Sequence, residues 1–430
     1  MLRFMLILSA LVGVSLSHAE ELDLNTALRE VNIDSPDIAS AKSRAEAARW
    51  GKLEAFGAGF LPRLKANANY LTDKKYQFIN LNLNGAPVVF PSIFPNSQAN
   101  IMAELPLFDG FASTNHYQAA SSRSDAAQED LNWDKFRTEM EVTLNYYRAL
   151  AASQLRIVAT QNLKVLQQHE KDAHLFRKSG LSTNFDVLRV QVQVSKANTD
   201  LEDAEDAIIL TRQRLAQSLG HEKEDREIVG ELPVPRPEVL QRARGESDRS
   251  DLRSLQLQSI ALENERAAAN RYWVPQFSFF ANYNFYNNLS QGLNDWSSYR
   301  NSRQVGFLMT WNIFDGLVSH SQAKQAIERK LQSESSLRKG RIGAVRDVET
   351  WSRRFKTLCH VYQARLQDIK SSEESVRLAR EGKRVGARTD NELLDAELDL
   401  SRSRADAVRA QLGAIEALIE LQLAEGRRYL

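Results

Sequence analysis

The feature of this sequence that most constrains its fold is an internal duplication. Three short motifs occur twice in the same order. The first is Leu-Pro-Arg-Leu at 61–64, which corresponds to Val-Pro-Gln-Phe at 274–277, and the second is Leu-Phe-Asp-Gly at 107–110, which corresponds to Ile-Phe-Asp-Gly at 313–316. The third is Gly-Leu-Ser-Thr at 180–183, which corresponds to Gly-Ala-Arg-Thr at 386–389. The second and third pairs share one offset of about 206 residues. Because repeats at a fixed offset indicate repeated structure, we expect two copies of one unit, at 20–220 and 248–426.

The segment between the copies, 221–247, differs in composition from both. Pro233, Pro235 and Pro237 remove backbone donors and exclude a continuous helix. We therefore expect an exposed linker here, and a short tail at 427–430 after the second copy.

Residues 1–19 have the composition of a signal peptide. Arg3 precedes an apolar run from 4 to 16, and the run ends in Ser-His-Ala, a small-x-small pattern typical of a cleavage site. The run is short for a membrane anchor, since a spanning helix needs roughly 20 apolar residues. We expect cleavage after Ala19 and export of the protein. No later stretch could span a bilayer as a helix, so a membrane crossing would have to use strands.

In each copy, apolar residues occupy every second position of one stretch, as in a strand with one apolar face. The apolar rows are Ala99, Ile101, Ala103, Leu105 and Leu107 in the first copy and Val305, Phe307, Met309, Trp311 and Ile313 in the second. Rows of about nine residues can cross a bilayer as tilted strands. Preceding strands would complete one β-hairpin per copy, within 62–108 and 275–314. The segments at 74–97 and 287–300 are expected to be solvent loops.

The same alternation would suit the core of a soluble β-sandwich. Four strands without a partner sheet would, however, leave two bare edges. Closure of several chains into one barrel removes those edges, and the aromatic residues near the strand ends would suit the interfacial girdles of an outer-membrane barrel.

The remaining sequence predicts long helices. After each Phe-Asp-Gly motif, residues 114–178 and 319–384 contain few breakers, and about 65 helical residues would extend about 100 Å. Returning helices are predicted at 184–219 and 391–424, so that each copy ends in a helical hairpin. Shorter helices are predicted near 23–59 and 250–273. The single cysteine, Cys359, excludes a disulfide framework and is expected to be buried.

These residues resemble the TolC-type outer-membrane efflux proteins. The resemblance covers essentially the whole mature chain and is closest where residues 385–389 lead into Leu-Leu-Asp-Ala at 393–396. It implies a mainly α fold with a membrane β-hairpin pair, and a homotrimer in which four strands per chain close a 12-stranded barrel. It also implies a helical tunnel across the periplasm that docks on a periplasmic adaptor and an inner-membrane transporter. No lipidation cysteine follows the leader, so the chain resembles the unlipidated branch.

The family resemblance assigns roles to residues at the hairpin ends. Glu392 and Asp395 are spaced i, i+3, so they lie on one helix face, and the matching family pair forms an acidic constriction at the periplasmic entrance. The alternative is two solvated surface acids. Arg388 matches the residue that ties the second hairpin to the first, here through Asp186, and would act as a latch.

The two turns match the positions where family members meet the adaptor. They comprise Gly180 and Leu181 in the first copy and Val385, Gly386 and Ala387 in the second. A plain helix-hairpin turn without a partner would need the same glycines.

Several classes of function are disfavoured. The histidines are scattered, and no phosphate loop or nucleophile motif occurs, so we expect no enzyme activity, metal or cofactor. The 56 basic and 55 acidic residues nearly balance, which argues against a nucleic-acid partner. We predict an outer-membrane exit duct, for tripartite efflux or type I secretion. The alternatives are a soluble periplasmic coiled-coil adaptor, which carries one hairpin rather than two, and a structural envelope protein.

Overall fold

The computed structural model describes residues 21–72, 77–92, 97–180, 182–242, 249–287 and 293–429. The predicted signal peptide and Leu181 lie outside these residues. The chain divides into two compact units. The helical unit comprises Met1–Ala41, Asn132–Arg249 and Ile342–Leu430, and the strand unit comprises Lys42–Leu131 and Ser250–Arg341.

The elements are named in chain order. The helices are α1 (Leu24–Asp34), α2 (Pro36–Phe60), α3 (Ala112–Lys178), α4 (Asn184–Leu219), α5 (Ser250–Ala269), α6 (Val318–Arg384) and α7 (Asp390–Glu425). The strands are β1 (Glu21–Leu22), β2 (Arg63–Tyr70), β3 (Gln77–Leu83), β4 (Ala86–Ser92), β5 (Ser97–Phe108), β6 (Glu227–Ile228), β7 (Gln276–Asn287) and β8 (Arg300–Thr310). Among the described residues, none of the helices combines the length and apolarity needed to cross a membrane.

The predicted helical hairpins, α3 with α4 and α6 with α7, are confirmed within two residues at each end. The returning helices begin with the same device. Thr183 and Thr389 are N-caps, and each forms a reciprocal capping box with the acid three residues later. Both helices end at a glycine in the left-handed conformation, Gly220 with φ 86° and Gly426 with φ 73°. The duplication therefore repeats the helix boundaries as well as the helices.

The core of the helical unit lies where α1, α3, α4 and α7 meet. Val31, Tyr146, Leu215 and Ile415 are among its buried residues. The predicted first helix near 23–59 is divided into α1 and α2 at Ser35, because Pro36 cannot continue the hydrogen bonding of α1 but suits the first position of a new helix.

The prediction that 221–247 is an exposed linker is wrong for part of that segment. Strand β6 pairs in parallel with β1, and Ile228 and Leu232 are buried in the same core. The amide of Gln411 donates to the carbonyl of Leu232 over 2.9 Å. The prolines exclude helix as expected, but the apolar residues between them still pack.

A second core in the helical unit surrounds Phe355 and Cys359, packed with Leu418 and Leu421 of α7. Cys359 is fully buried, as predicted. Burial, and secondarily the negative charge of Glu238, raises the pKa of its thiol to about 11.

The strand unit contains a four-stranded antiparallel sheet in the order β2-β5-β7-β8. The predicted hairpin of the second copy is β7–β8, and the first copy supplies β2 and β5. Strand β8 ends at Thr310, so the predicted apolar row loses Trp311 and Ile313. The Trp311 indole donates instead to the carbonyl of Trp273, over 3.0 Å.

The two faces of this sheet differ in polarity. Paired positions on one face are apolar, for example Ala103 opposite Ala281 and Val305 opposite Ala281. The other face carries asparagines at neighbouring positions of three strands. Asn67 donates to Asn100 over 3.0 Å, and Asn100 donates to Asn282 at 3.5 Å. These amides fix the register of the strands while leaving that face polar.

The segment predicted as a solvent loop at 74–97 contains a further β-hairpin, β3–β4. Its turn is Asn84-Gly85, with φ of 52° and 85°. Positive φ at both central residues is the requirement of a type I′ turn, which Asn-Gly satisfies better than other dipeptides. The loop prediction is therefore wrong here, and the Asn-Gly pair was the signal that could have identified the hairpin.

Candidate functional site at the ends of the helical hairpins

The candidate site lies in the helical unit, where α3 turns into α4 and α6 turns into α7. Gly180 and Gly386 occupy the turns with φ of 76° and 75°. The amide of Gly386 donates to the carbonyl of Lys383, and that of Ala387 to the carbonyl of Gly382. The predicted turn residues Val385, Gly386 and Ala387 are thus placed in one tight reversal, with the Val385 side chain exposed.

Glu392 is not a free carboxylate. It accepts hydrogen bonds from the backbone amide of Thr389 over 2.8 Å and from the Arg388 guanidinium over 2.7 Å. These bonds, the Thr389 amide first, hold the pKa of Glu392 below its ordinary value. Its primary local role is to cap α7, and its charge is offset by an arginine four residues earlier.

Asp186 occupies the equivalent capping position of α4. It accepts hydrogen bonds from the Thr183 hydroxyl over 2.7 Å, the Thr183 amide over 3.0 Å and the Ser182 hydroxyl over 3.1 Å. The bonds from Thr183, and then that from Ser182, lower the pKa of Asp186 to about 2.

The predicted pair between Arg388 and Asp186 does not form within the chain. Arg388 is bonded to Glu392, and Asp186 is bonded to its own capping box. The physical reason is proximity, because an acid at the third position of a helix is held by its N-cap residue. Within one chain both side chains therefore have nearer partners, and a latch between Arg388 and Asp186 stays a prediction.

A different ion pair joins the two hairpins. The Arg189 guanidinium of α4 contacts both carboxylate oxygens of Asp395 of α7, at 3.0 and 3.3 Å. Arg189 was missed in the sequence. The two residues are 206 positions apart, the offset of the duplication, so they occupy equivalent positions in the two copies. The signal in the sequence that could have identified this ion pair is the opposite charge of two residues at equivalent positions of the two copies.

A second polar link lies two residues farther along α7. Nε2 of His169 in α3 is 2.6 Å from a carboxylate oxygen of Glu397 in α7, whose other oxygen accepts a hydrogen bond from Arg380 of α6 over 2.9 Å. Burial would raise the pKa of Glu397, but the bonds from His169 and Arg380 outweigh it and lower the pKa. This carboxylate therefore connects three helices.

Apolar contacts accompany these links. Leu166, Val190, Ala197 and Leu394 form a small buried cluster between the hairpins. A crevice of about 430 Å³ lies beside it, with side chains from α3, α4 and α7 in its wall, including His169, Asp172, Phe176 and Asn391. Within the described ranges, no group of histidine, cysteine and acidic residues is arranged to hold a metal ion.

The geometry suits a closure that opens at low energetic cost. Arg189 and Asp395 are exposed to 36% and 58%, and ion pairs of that exposure contribute about 0–1 kcal/mol each. The apolar cluster is small, so near their turns the two hairpins are held together by several weak contacts rather than by one strong one.

Two copies of a unit that joins antiparallel strands to a long helical hairpin define a class of outer-membrane channel protein. The chain belongs to the outer membrane efflux protein family, whose model matches residues 27–221 and 240–427. The mainly α fold, the efflux function and the outer-membrane location with a periplasmic extension, all predicted from the sequence, are confirmed by the family assignment, and the 12-stranded trimeric barrel stays a prediction.

Solved structures of similar fold support the assignment. The outer membrane protein VceC from Vibrio cholerae is 16% identical, with a TM-score of 0.75 over 95% of this chain and 97% of that chain. The CmeC outer membrane channel of Campylobacter jejuni is 12% identical, with a TM-score of 0.74 over 94% of this chain and 85% of that chain. The open state of the MtrE outer membrane channel of Neisseria gonorrhoeae is 19% identical, with a TM-score of 0.71 over 94% of this chain and 89% of that chain. The comparison with curated protein sequences gave no match.

Proposed function

We propose that three copies of this chain form a closed duct that conducts substrates outward. The observation that carries this proposal is the sheet β2-β5-β7-β8, whose edge strands among the described residues are β2 and β8. Exposed edges promote pairing with another chain. Pairing of β8 with β2 of the next copy around a threefold axis gives twelve strands and removes both edges of this sheet.

The exposed apolar residues of the sheet support the same arrangement. Leu64, Val305 and Phe307 are 74%, 67% and 76% exposed. A barrel in the outer membrane would bring these side chains against outer-membrane lipid and leave the asparagine face toward water. A soluble adaptor would have to cover this apolar surface in another way, and the chain contains two long helical hairpins instead of one.

We further propose that the duct receives its cargo from a periplasmic adaptor and an inner-membrane transporter, either of an efflux system or of a type I secretion system. The turns at Gly180 and at Val385–Ala387 are the proposed adaptor contacts, and Leu181 would be part of the first. A photo-crosslinker at position 387 should capture the adaptor co-expressed with it. Capture from an exposed mid-helix position such as 361, but not from 387, would remove the turns from the interface.

At the hairpin ends we propose a gate. Three copies would bring together six carboxylates from Glu392 and Asp395, and each carboxylate is accompanied by an arginine, Arg388 or Arg189. The closed end is therefore nearly neutral. Opening that separates Arg189 from Asp395 would expose an acidic ring, which favours cations.

Native mass measurement of the protein extracted from outer membranes tests the duct directly. The expected result is a trimer that also forms conducting channels in planar bilayers. A monomer recovered from the soluble periplasm would refute the proposed function and favour the adaptor alternative.

A further inference from the structure

Strand β8 places a charged residue on the apolar face of the four-stranded sheet. Successive residues of a strand point to opposite faces, so Arg303 shares a face with the exposed side chains of Val305 and Phe307. Its partner across the pair with β7 is Tyr283. The other charged residues of the four strands lie on the opposite face: Arg63, Lys65, Glu104 and Arg300.

The guanidinium of Arg303 is exposed and unpaired. In the part of the chain that the structure describes, it forms no hydrogen bond, ion pair or ring contact. No acidic residue of the four strands shares its face, so the strands themselves do not supply a counter-ion. A cation on the lipid face of a barrel is destabilising at the midplane of the membrane and much less so near its surface. The depth of Arg303 therefore decides what it can contact.

Arg303 lies near the extracellular end of the proposed barrel. Helix α6 follows the Thr310 end of β8, and the helices of the family extend into the periplasm, so β8 begins at the extracellular end. Strand residues rise about 3.3 Å each, so the path from Trp311 to Arg303 covers about 26 Å, or about 20 Å along the membrane normal. The apolar band of such barrels is about 25 Å tall. With Trp311 at the periplasmic boundary, the long side chain of Arg303 can reach the headgroups of the outer leaflet.

Three aromatic rings lie at this end of the sheet. Phe285 is on the same face as Arg303, and its ring is stacked on that of Tyr299, with centroids 4.7 Å apart. Trp296 contacts both rings, at 6.2 and 5.6 Å, and is 72% exposed. The hydroxyl of Tyr299 lies 2.8 Å from that of Ser97 and so ties the segment before β8 to β5. We call Phe285, Trp296 and Tyr299 the aromatic cluster, which is fixed to the sheet and leaves Trp296 open.

An unpaired guanidinium beside an open aromatic ring suits a phosphorylated sugar. A guanidinium binds phosphate through two parallel hydrogen bonds. An aromatic ring at a membrane surface presents an apolar body, on which the apolar side of a sugar ring can pack. The headgroup of a phospholipid would use Arg303 but would leave Trp296 without a partner. The combination therefore favours a glycolipid that carries phosphate.

We propose that Arg303 and the aromatic cluster bind a phosphorylated glycolipid of the outer leaflet, one molecule per copy. Arg303 bonds the phosphate, Trp296 packs on the sugar, and the acyl chains lie along Val305 and Phe307. This inference rests on the proposed barrel and adds a ligand to its outer surface. Because β8 is an edge strand of the sheet, the bound lipid lies at the junction with the next copy.

Native mass spectrometry of trimers extracted from outer membranes in a mild detergent tests the site. Wild-type trimers should retain phosphorylated glycolipid. Arg303→Gln should lower the retained amount on the order of tenfold, because it removes the charge-assisted bonds to phosphate. Arg300→Gln is the matched control, since Arg300 lies on the opposite face of the same strand, and it should retain the wild-type amount. Equal retention by wild type and Arg303→Gln would overturn the proposal.

Adding lipids back to delipidated wild-type trimers identifies the chemistry that is recognised. The probes are lipid A with its phosphates, lipid A without them, phosphatidylglycerol and inorganic phosphate. Removal of the phosphates should weaken binding on the order of tenfold, and Trp296→Ala should weaken the binding of lipid A but not that of phosphatidylglycerol. Phosphatidylglycerol bound as tightly as lipid A, or lipid A displaced by inorganic phosphate, would overturn a glycolipid site.

The outcomes separate this inference from the proposed function. Wild-type trimers that retain and bind no glycolipid would overturn the lipid site and leave the duct intact, whereas a monomeric wild-type protein would overturn the duct. The series of added lipids uses the wild-type chain, so it decides the question even where Arg303→Gln fails to assemble. Arg303→Lys keeps the charge but not the forked geometry, and it should retain an intermediate amount of glycolipid.

Discussion

The link between Arg189 and Asp395 predicts how the duct opens. Replacing Arg189 by alanine removes the ion pair at 3.0 Å and leaves Asp395 uncompensated. The two side chains are 36% and 58% exposed, so the pair should contribute about 0.2–1 kcal/mol. Three copies would lose about 0.6–3 kcal/mol, and the open-to-closed ratio should rise between about threefold and a hundredfold.

Planar bilayers measure both the opening and the charge of the pore. Arg189→Ala should raise conductance and shift the reversal potential in a KCl gradient toward cation selectivity. Asp395→Asn should also raise conductance, but its selectivity should shift toward anions because Arg189 then lacks a partner. Arg388→Ala is the matched control, since Arg388 is bonded within its own hairpin, and its conductance should change less.

The double replacement distinguishes a pair from two separate effects. If the pair acts as a unit, Arg189→Ala with Asp395→Asn should open the channel no more than either single variant. The exchange Arg189→Asp with Asp395→Arg should restore low conductance. Wild-type conductance in both single variants, with the trimer intact, would refute the reasoning.

Three further predictions concern pH, backbone and thiol chemistry. The pKa of Glu397 is lowered from 4.5 by His169 and Arg380, so the stabilising contribution of this carboxylate is present above pH 4.5 and is lost as the pH falls through the lowered pKa. The midpoint temperature of thermal unfolding of Glu397→Gln should therefore be lower than that of wild type at pH 7. The difference between the two midpoints should shrink below pH 4.5. Gly386→Ala should lower the free energy of unfolding by about 1 kcal/mol, because φ at this position is 75°. Gly343→Ala lies inside α6 with free space around the added methyl group, and it should raise the free energy of unfolding by about 0.5–1 kcal/mol. Denaturant unfolding measures both changes. Cys359, with a thiol pKa of about 11 and no exposure, should react with a thiol reagent only after denaturation, and rapid labelling of the native protein would contradict its burial.

The long helices were predictable because their signals are local. Motifs at one fixed offset located both copies, and capping residues and glycines marked the ends of α4 and α7. The β3–β4 hairpin was missed because the polar residues around it dominated the interpretation, although Asn84-Gly85 marks its turn.

The site was harder to predict because its contacts are formed between elements. Arg388 and Asp186 were each assigned a distant partner, but local capping and an i, i+4 bond provide nearer ones. The link through Arg189 depends on two helices being packed side by side at one height, and the link through His169 depends on partial burial of Glu397. Helical spacing along one segment contains neither piece of information.

The pairing of Arg189 with Asp395 also bears on how such a chain came to exist. The two residues occupy equivalent positions of the duplicated unit, so in an ancestor built from six identical single units they would have been the same residue. Identical residues at that contact would have placed like charges together, whereas two copies within one chain can differ and so pair an arginine with an aspartate. In the proposed trimer, the lower symmetry of fused copies permits a contact between unlike residues that six equal subunits could not make.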